Sequence, residues 1–407
     1  MSSALTPRGV LRRPTTERWL LELSILLLML GPLALTYPAS AQTGASIYSF
    51  GQRNGDGVQP EGTLIADARG NFYGTTTYGG TVGNGTIFKL FPNGNGGWKE
   101  TVLYRFPGGV AGSRPNAATL LMDRAGNLYG TTFFGGVNDV GVAFELSLVA
   151  GHWQETVLYS FGNYAGDGVK PINALIMDAN GNLFGVTAFG GSAGTGSVFE
   201  LSPGSNGWTE RVIYSDVASA AALTMDGVGN LFGTTANAVF ELSPDGSGGW
   251  TPKTLHSFGA TPVYPQGTPV FDLAGNLYGT TYQGGAKKFG SVYRLSPTSQ
   301  GNWIFRTLYS FQGYPVDGQN PFAGLLLDAA GSLYGTTFDG GKYNGGTVFE
   351  LVAVGGGSYK KKTLWNFNGS DAEQILGGLI QDRLGNLYGT SVFGGVVQAG
   401  NIFEVTP

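Results

Sequence analysis

The 407-residue chain contains no cysteine and only two histidines. Without cysteine there is no disulfide, no thiol nucleophile and no zinc site built on sulfur. Such a chain is held by packing and strand pairing alone. His152 and His256 are too few for a zinc or non-haem iron site. They also fall at different positions of different repeats, so no Ser-His-Asp arrangement is expected. Charge is scarce, at 12% of residues, and helical periodicity is missing after about residue 36. No glycine-rich fingerprint opens a helix, which removes Walker-type and dinucleotide sites.

Residues 1–41 are a different kind of sequence. Arg8, Arg12, Arg13 and Arg18 precede an apolar run from Ile25 to Leu35, and Ala39-Ser-Ala41 supplies small residues for cleavage. This reads as a secretory signal peptide cut after Ala41, because the run falls short of the roughly 20 residues of a membrane span. The Arg12-Arg13 pair lacks twin-arginine flanks, so the general export route is favoured. Cleavage leaves an exported protein (periplasmic, cell-surface or extracellular) without a membrane span. It retains 19 of 23 basic and 25 of 27 acidic residues, a net −6. That balance argues against nucleic acid as a partner. Lys360-Lys-Lys362, the longest basic run, sits in a predicted strand and is expected to be a solvated edge.

What is abundant is glycine, 70 residues of it, and a repeat. Asp123-Arg-Ala-Gly-Asn-Leu-Tyr-Gly-Thr-Thr132 has close copies beginning at Asp67, Asp178, Asp226, Asp272, Asp328 and Asp382, 46 to 56 residues apart. A period of that size means a propeller, solenoid or array. Within the second unit four short apolar segments follow one another. They are Thr119–Met122, Asn127–Thr132, Val142–Leu146 and Glu155–Phe161, the last reached by a loop through Trp153. Four strands per fifty residues with turn signals between them describe a propeller blade. The first, apolar throughout, is expected to be covered on both faces.

The last unit ends after its third strand, while Ser46-Ile-Tyr-Ser-Phe50 is an orphan fourth strand. Residues 46–50 therefore complete the last blade and leave no open edge. The fold class is all-β: a seven-bladed propeller of four-stranded antiparallel blades in one domain, 42–407, expected to be a monomer.

The pattern Leu-Tyr-Ser-Phe, Asp-Gly-x-x-Pro, Asp-x-x-Gly-Asn-Leu-Tyr-Gly-Thr-Thr, Gly-Gly, Gly-Thr-Val-Phe-Glu-Leu resembles the GloVer (Gloeobacter/Verrucomicrobia-type) tandem-repeat family of exported bacterial propellers, over essentially all of 46–407. The resemblance implies export and a propeller, and no established activity. Family members commonly carry a C-terminal surface anchor, from which this chain is expected to depart. Kelch propellers share the Gly-Gly doublets, but their spaced Tyr and Trp do not align here.

The seven aspartates Asp67, Asp123, Asp178, Asp226, Asp272, Asp328 and Asp382 are expected to hold turns, since Asx side chains accept from nearby amides. Trp98, Trp153, Trp208, Trp250 and Trp303 read as edge packing. The longer loops share one face and carry the ligand candidates: Tyr78, Phe134, Phe189, Tyr282 and Phe393, with Asp339 in the equivalent place before Gly340-Gly341. Asp56, Asp167 and Asp317, each before a glycine, are the metal candidates, for Ca²⁺. The fourth unit departs most. Asp216 replaces Phe, the loop shrinks to Val217–Ala221 and the glycine doublet is lost, so a notch beside Asp216 is expected. Asp371 and Glu373 are further irregular acids.

Two functions fit. The favoured one is an exported, non-enzymatic module binding a glycan, peptide or protein on its loop face, without a cofactor. The other is a carboxylate- or calcium-dependent hydrolase or lyase on an extracellular polymer, with two acids as its chemistry. N-terminal sequencing of the exported protein should begin at Gln42; a chain that starts before Ile25 would remove the signal-peptide reading.

Overall fold

The computed structural model describes residues 42–407 apart from 117, 118, 219–221, 260 and 262, so the expected signal peptide lies outside the described residues. Seven four-stranded antiparallel sheets form the seven blades. Blade 1 runs Ile65–Ala66, Phe72–Thr76, Thr86–Pro92 and Trp98–Arg105 from the axis outward, and the next five blades repeat that order. Blade 7 takes three strands, Ile380–Gln381, Leu387–Ser391 and Asn401–Thr406, from the end of the chain. Its fourth is Thr43–Ser49, paired antiparallel from Thr43 opposite Thr406 to Ser49 opposite Asn401. The closing strand expected at 46–50 is thus present and starts three residues earlier.

The core is not central. It is divided into seven clusters, one at each junction between neighbouring blades. Tyr73 and Ile87 of blade 1 pack with Leu128 and Phe144 of blade 2, and so on round to Tyr388 and Ile402 of blade 7 against Phe72 and Phe88 of blade 1. The second strand is the one buried throughout, as in Phe72–Thr76, because strands flank it in its own sheet and neighbouring sheets cover both faces. The first strand was expected to hold that place. It is only two residues long in most blades, and its residues, such as Leu121 and Met122, are half-buried because the axis leaves one side uncovered. The leucine just before it is the buried residue, as with Leu64 and Leu120.

Each letter of the repeat has a physical role. In Tyr-Gly-Thr-Thr the glycine faces the phenylalanine of the third strand: a Cβ on Gly130 would lie 2.7 Å from Phe144 Cζ. The first threonine donates across the junction near the axis. Thr390 Oγ1 reaches Gly62 O at 2.9 Å, Thr336 Oγ1 reaches Gly377 O at 3.2 Å and Thr280 Oγ1 reaches Ala323 O at 3.0 Å. The second donates to the start of the loop that follows, as Thr132 Oγ1 does to Phe134 O. In Asp123, Oδ1 accepts from Ala125 N and Asn127 N while Oδ2 accepts from Asn127 Nδ2 and Tyr129 Oη. Asp67, Asp272 and Asp382 repeat all four bonds, and Asp178, Asp226 and Asp328 repeat those their neighbours allow.

Two readings change. The loop expected through Trp153 is a tight turn at Ala150-Gly151, and the fourth strand already starts at His152. Lys361 is not solvated: its side chain is 10% exposed and its Nζ lies 2.6 Å from Asp317 Oδ1.

Gly130→Ala should destabilise the fold by about 1–3 kcal/mol through overpacking. Gly227→Ala, with nothing within 4 Å of the added Cβ and no left-handed backbone, should be neutral or slightly stabilising. Denaturant midpoints of the two variants test the pair.

Candidate functional site

The connection into each blade and the loop between its second and third strands meet on one face. In blade 1 they pair as a ribbon, Gly57–Val58 against Tyr78–Gly79, and in blade 6 as Gly318–Gln319 against Asp339–Gly340. Blade 3 continues its own strands into the same ribbon, with Gly168 opposite Gly190, and blades 2 and 7 keep single bridges, Ser113 to Phe134 and Glu373 to Phe393.

The aspartates before the loop glycines anchor these connections from below. Asp56 is 4% exposed; it accepts from Tyr48 Oη, Gln52 N and Gly57 N. Asp317 accepts from Tyr309 Oη, Gln312 N and Gly318 N, besides Lys361. Asp167 accepts from Tyr159 Oη and Asn163 N. In blade 7 Asp371 does the same work for Trp365 Nε1, Asn368 N and Ala372 N. No group of three or more His, Asp or Glu side chains arranged around a metal occurs among the described residues.

A second set of residues went unnoticed in the sequence. Gln59, Arg114, Lys170, Tyr264 and Asn320, each before a proline, and Gln374 in the equivalent place, all have positive φ between 48° and 58°. That conformation costs an ordinary residue roughly 1–2 kcal/mol, and here it is held by backbone bonds on both sides. Arg114 N donates to Asn84 O of the preceding blade at 2.7 Å, and its own O accepts from Phe133 N at 3.0 Å. Gln59 and Asn320 make the same clasp. The backbone is fixed at these sites while the side chain changes from blade to blade.

Over blades 1–3 those side chains alternate with the predicted aromatics. The Arg114 guanidinium lies 5.1 Å from the Tyr78 ring centre and 5.2 Å from that of Phe134. The Lys170 ammonium lies 5.0 Å from Phe134 and 5.6 Å from Phe189. Tyr78 and Phe189 are 36% and 51% exposed. Among the described residues neither cation has a carboxylate within 4 Å. Blades 5–7 bring acids to the same face, beside the exposed Lys287 and Lys288. Asp339 is half-buried, and burial first and the Glu373 charge second push its carboxyl upward. Tyr282 is raised by burial and then by Asp339. Phe393 is half-buried and pairs with Glu373.

Asp216 stands apart from both groups. Its N–H makes the bond to Gly196 O that Phe161 N makes to Gly141 O one blade earlier. Its side chain is exposed and accepts from Thr195 Oγ1 at 2.9 Å. Val217, fully buried, fills the core place that phenylalanine takes elsewhere. Residues 219–221 of the expected notch lie outside the described residues. Several grooves open on the other face, between the Asp-x-x-Gly turns. One of about 860 Å³ runs between Asp67, Tyr73, Asp123 and Trp153.

The profile described as Gloeobacter/Verrucomicrobia repeat matches residues 92–261 and 236–407. The chain belongs to the Gloeobacter/Verrucomicrobia repeat family. No curated protein matches this family member. Among solved structures it is similar to a streptogramin B lyase, at 13% identity and TM-score 0.56, covering 90% of this chain and 97% of the other. A catalytically inactive virginiamycin B lyase from Staphylococcus aureus, solved with quinupristin, gives 12% identity and TM-score 0.55 over 90% and 100%. The extracellular domain assigned to a hybrid two-component system of B. thetaiotaomicron gives 13% and 0.58, where the chain spans 90% of itself and 41% of that one. At these identities the likeness is one of fold. Among the described residues no helix is long and apolar enough to cross a membrane.

Glu155 provides a pH test of the blade junctions. Its carboxyl accepts from Tyr104 Oη at 3.2 Å, and burial pushes it up to about 7 against that bond. An unfolded Glu titrates near about 4.3. Between those values the folded state holds a proton that the unfolded state has lost, so stability falls as pH rises through the window. Melting temperature should drop between about pH 5 and about pH 8. Glu155→Gln should remove part of that drop.

Proposed function

We propose that this is an exported binding propeller whose loop face takes an extracellular ligand, and that the ligand is an acidic glycan. The observation that carries the reading is the row Tyr78, Arg114, Phe134, Lys170 and Phe189, in which two cations without carboxylate partners lie among three rings, the outer two exposed. Aromatic faces offer sugars an apolar platform with a polar rim. Guanidinium and ammonium groups answer carboxylate or sulfate substituents, and charge-assisted bonds are the stronger kind. The clasped backbone holds the row before the ligand arrives, which lowers the ordering cost of binding. Export rests on the arginines ahead of the apolar run Ile25–Leu35 and on the small residues Ala39-Ser-Ala41 after it. A peptide or protein ligand would need the same row to meet acidic side chains.

One observation supports the enzymatic alternative. Asp339 and Glu373 are irregular acids close enough to interact, and Asp339 is raised. An acid raised by burial with a second acid beside it is the kind of pair that cleavage of a polymer uses.

Titration with polygalacturonate and with neutral dextran tests the proposal. The acidic polymer should bind, more weakly at high salt, and Arg114→Ala with Lys170→Ala should cost at least about tenfold in affinity. Equal binding of dextran, or no effect of the double substitution, removes the acidic-glycan reading. Release of reducing ends that stops in Asp339→Asn would favour the hydrolase instead.

A further inference from the structure

One position recurs at the blade junctions, the fourth-strand residue paired with Leu90, Leu201, Leu295, Leu351 or Val405 of the third strand, and the groups that meet it change together. In blade 6 it is Lys361, whose ammonium lies 2.6 Å from Oδ1 of Asp317, while Tyr309 Oη donates to Oδ2 of the same carboxylate. In blade 1 it is Glu100, 3% exposed, and Arg53 bridges it to Asp56. In blade 5 it is Phe305, stacked 3.9 Å from His256. At the end of the ring it is Gly44, where a Cβ would lie 2.5 Å from the Trp365 ring. Each of these junctions supplies a counter-charge or fits its volume.

The junction between blades 2 and 3 does not. The position is Glu210, and the loop aspartate facing it is Asp167, 3% exposed. Tyr159 Oη and Asn163 N donate to Asp167 Oδ2, at 2.8 and 2.7 Å, and Tyr164 Oη donates to Glu210 Oε2 at 2.7 Å. Asp167 Oδ1 and Glu210 Oε1 are buried without a donor in good hydrogen-bond geometry, and only the Gly168 and Gly162 amides approach the Asp167 carboxylate besides the groups named. Among the described residues no Lys, Arg or His lies within 4 Å of either carboxylate. A buried carboxylate facing a half-buried one without a counter-charge is unfavourable. The atom left free on Asp167 is the one that receives an ammonium on Asp317.

We infer that a hard cation, calcium first, binds between blades 2 and 3 through Asp167 Oδ1 and Glu210 Oε1, in the place that the Lys361 ammonium holds between blades 5 and 6. An all-oxygen donor set suits calcium rather than a thiophilic metal. Calcium takes six to eight oxygens and completes its shell with water. The tyrosine hydroxyls take Asp167 Oδ2 and Glu210 Oε2 and so leave Oδ1 and Oε1 for the ion. One ligand comes from the connection into blade 3 and the other from that blade's outer strand, so the ion ties the loop face to the edge of the ring.

The test is thermal unfolding of the purified protein in millimolar calcium chloride and in EDTA, with terbium luminescence excited through tyrosine. Calcium should raise the melting temperature by about 4 °C or more, and bound terbium should be sensitised by Tyr159 and Tyr164. Glu210→Lys, which supplies its own ammonium to Asp167, should abolish both effects and melt in EDTA as high as the unmodified protein melts in calcium. Should that variant not fold, Glu210→Gln must still lose the terbium signal. Equal melting in calcium and EDTA overturns the site, as does terbium emission that survives Glu210→Gln. The first result, joined to stability that falls as pH rises through about 7, would mean that the pair shares a proton instead.

Discussion

Every sheet in this ring buries its faces on its neighbours, so none is stable as a separate unit, and the pairing of Thr43–Ser49 with Asn401–Thr406 decides whether the ring exists. Without that strand the last blade would present an open edge and the junction between blades 7 and 1 would lose Phe50, which is fully buried against Phe88. Closure converts seven local packings into one cooperative structure. The threonine bonds near the axis add a second, inner seam across the same junctions.

Within that ring, what is repeated and what varies have different physical meanings. The repeated residues solve the blade: aspartate holds the first turn, glycine makes room for phenylalanine, and threonine reaches the next sheet. The varied residues sit where backbone bonds already fix the chain, as at Gln59, Arg114, Lys170 and Asn320. Side chains there change without disturbing the fold. This allows one half of the loop face to carry cations among aromatic rings while the other carries Asp339 and Glu373.

At four junctions the outer ends follow a related rule, in that a change at one residue is answered at its neighbour. Lysine meets aspartate, glutamate meets arginine, phenylalanine meets histidine, and glycine leaves space for tryptophan. These pairs are 44 to 321 residues apart in sequence, so a reading along the chain treats each member as a separate oddity. Lys361 illustrates the point. Next to Lys360 and Lys362 it looks like part of a solvated basic run, yet it points between sheets and meets a buried carboxylate.

Blade number, strand order and ring closure were legible in the sequence because they depend on local turn chemistry and on a count of strands. The turn role of Asp123 and its copies was legible for the same reason: their hydrogen-bond partners lie within six residues. The aromatics of the loop face were also visible, as regular positions before glycine doublets. The cations between them were not, because nothing in the run Ser113-Arg114-Pro115 shows that the arginine adopts a left-handed backbone beneath two rings from different blades. Asp216 stood out as a break in the pattern, and the structure shows that Val217 fills the place left by the missing phenylalanine. Local spacing thus determined the architecture of this protein. Only the closed ring decided which distant charges and rings meet, because it brings together blades that the chain visits separately.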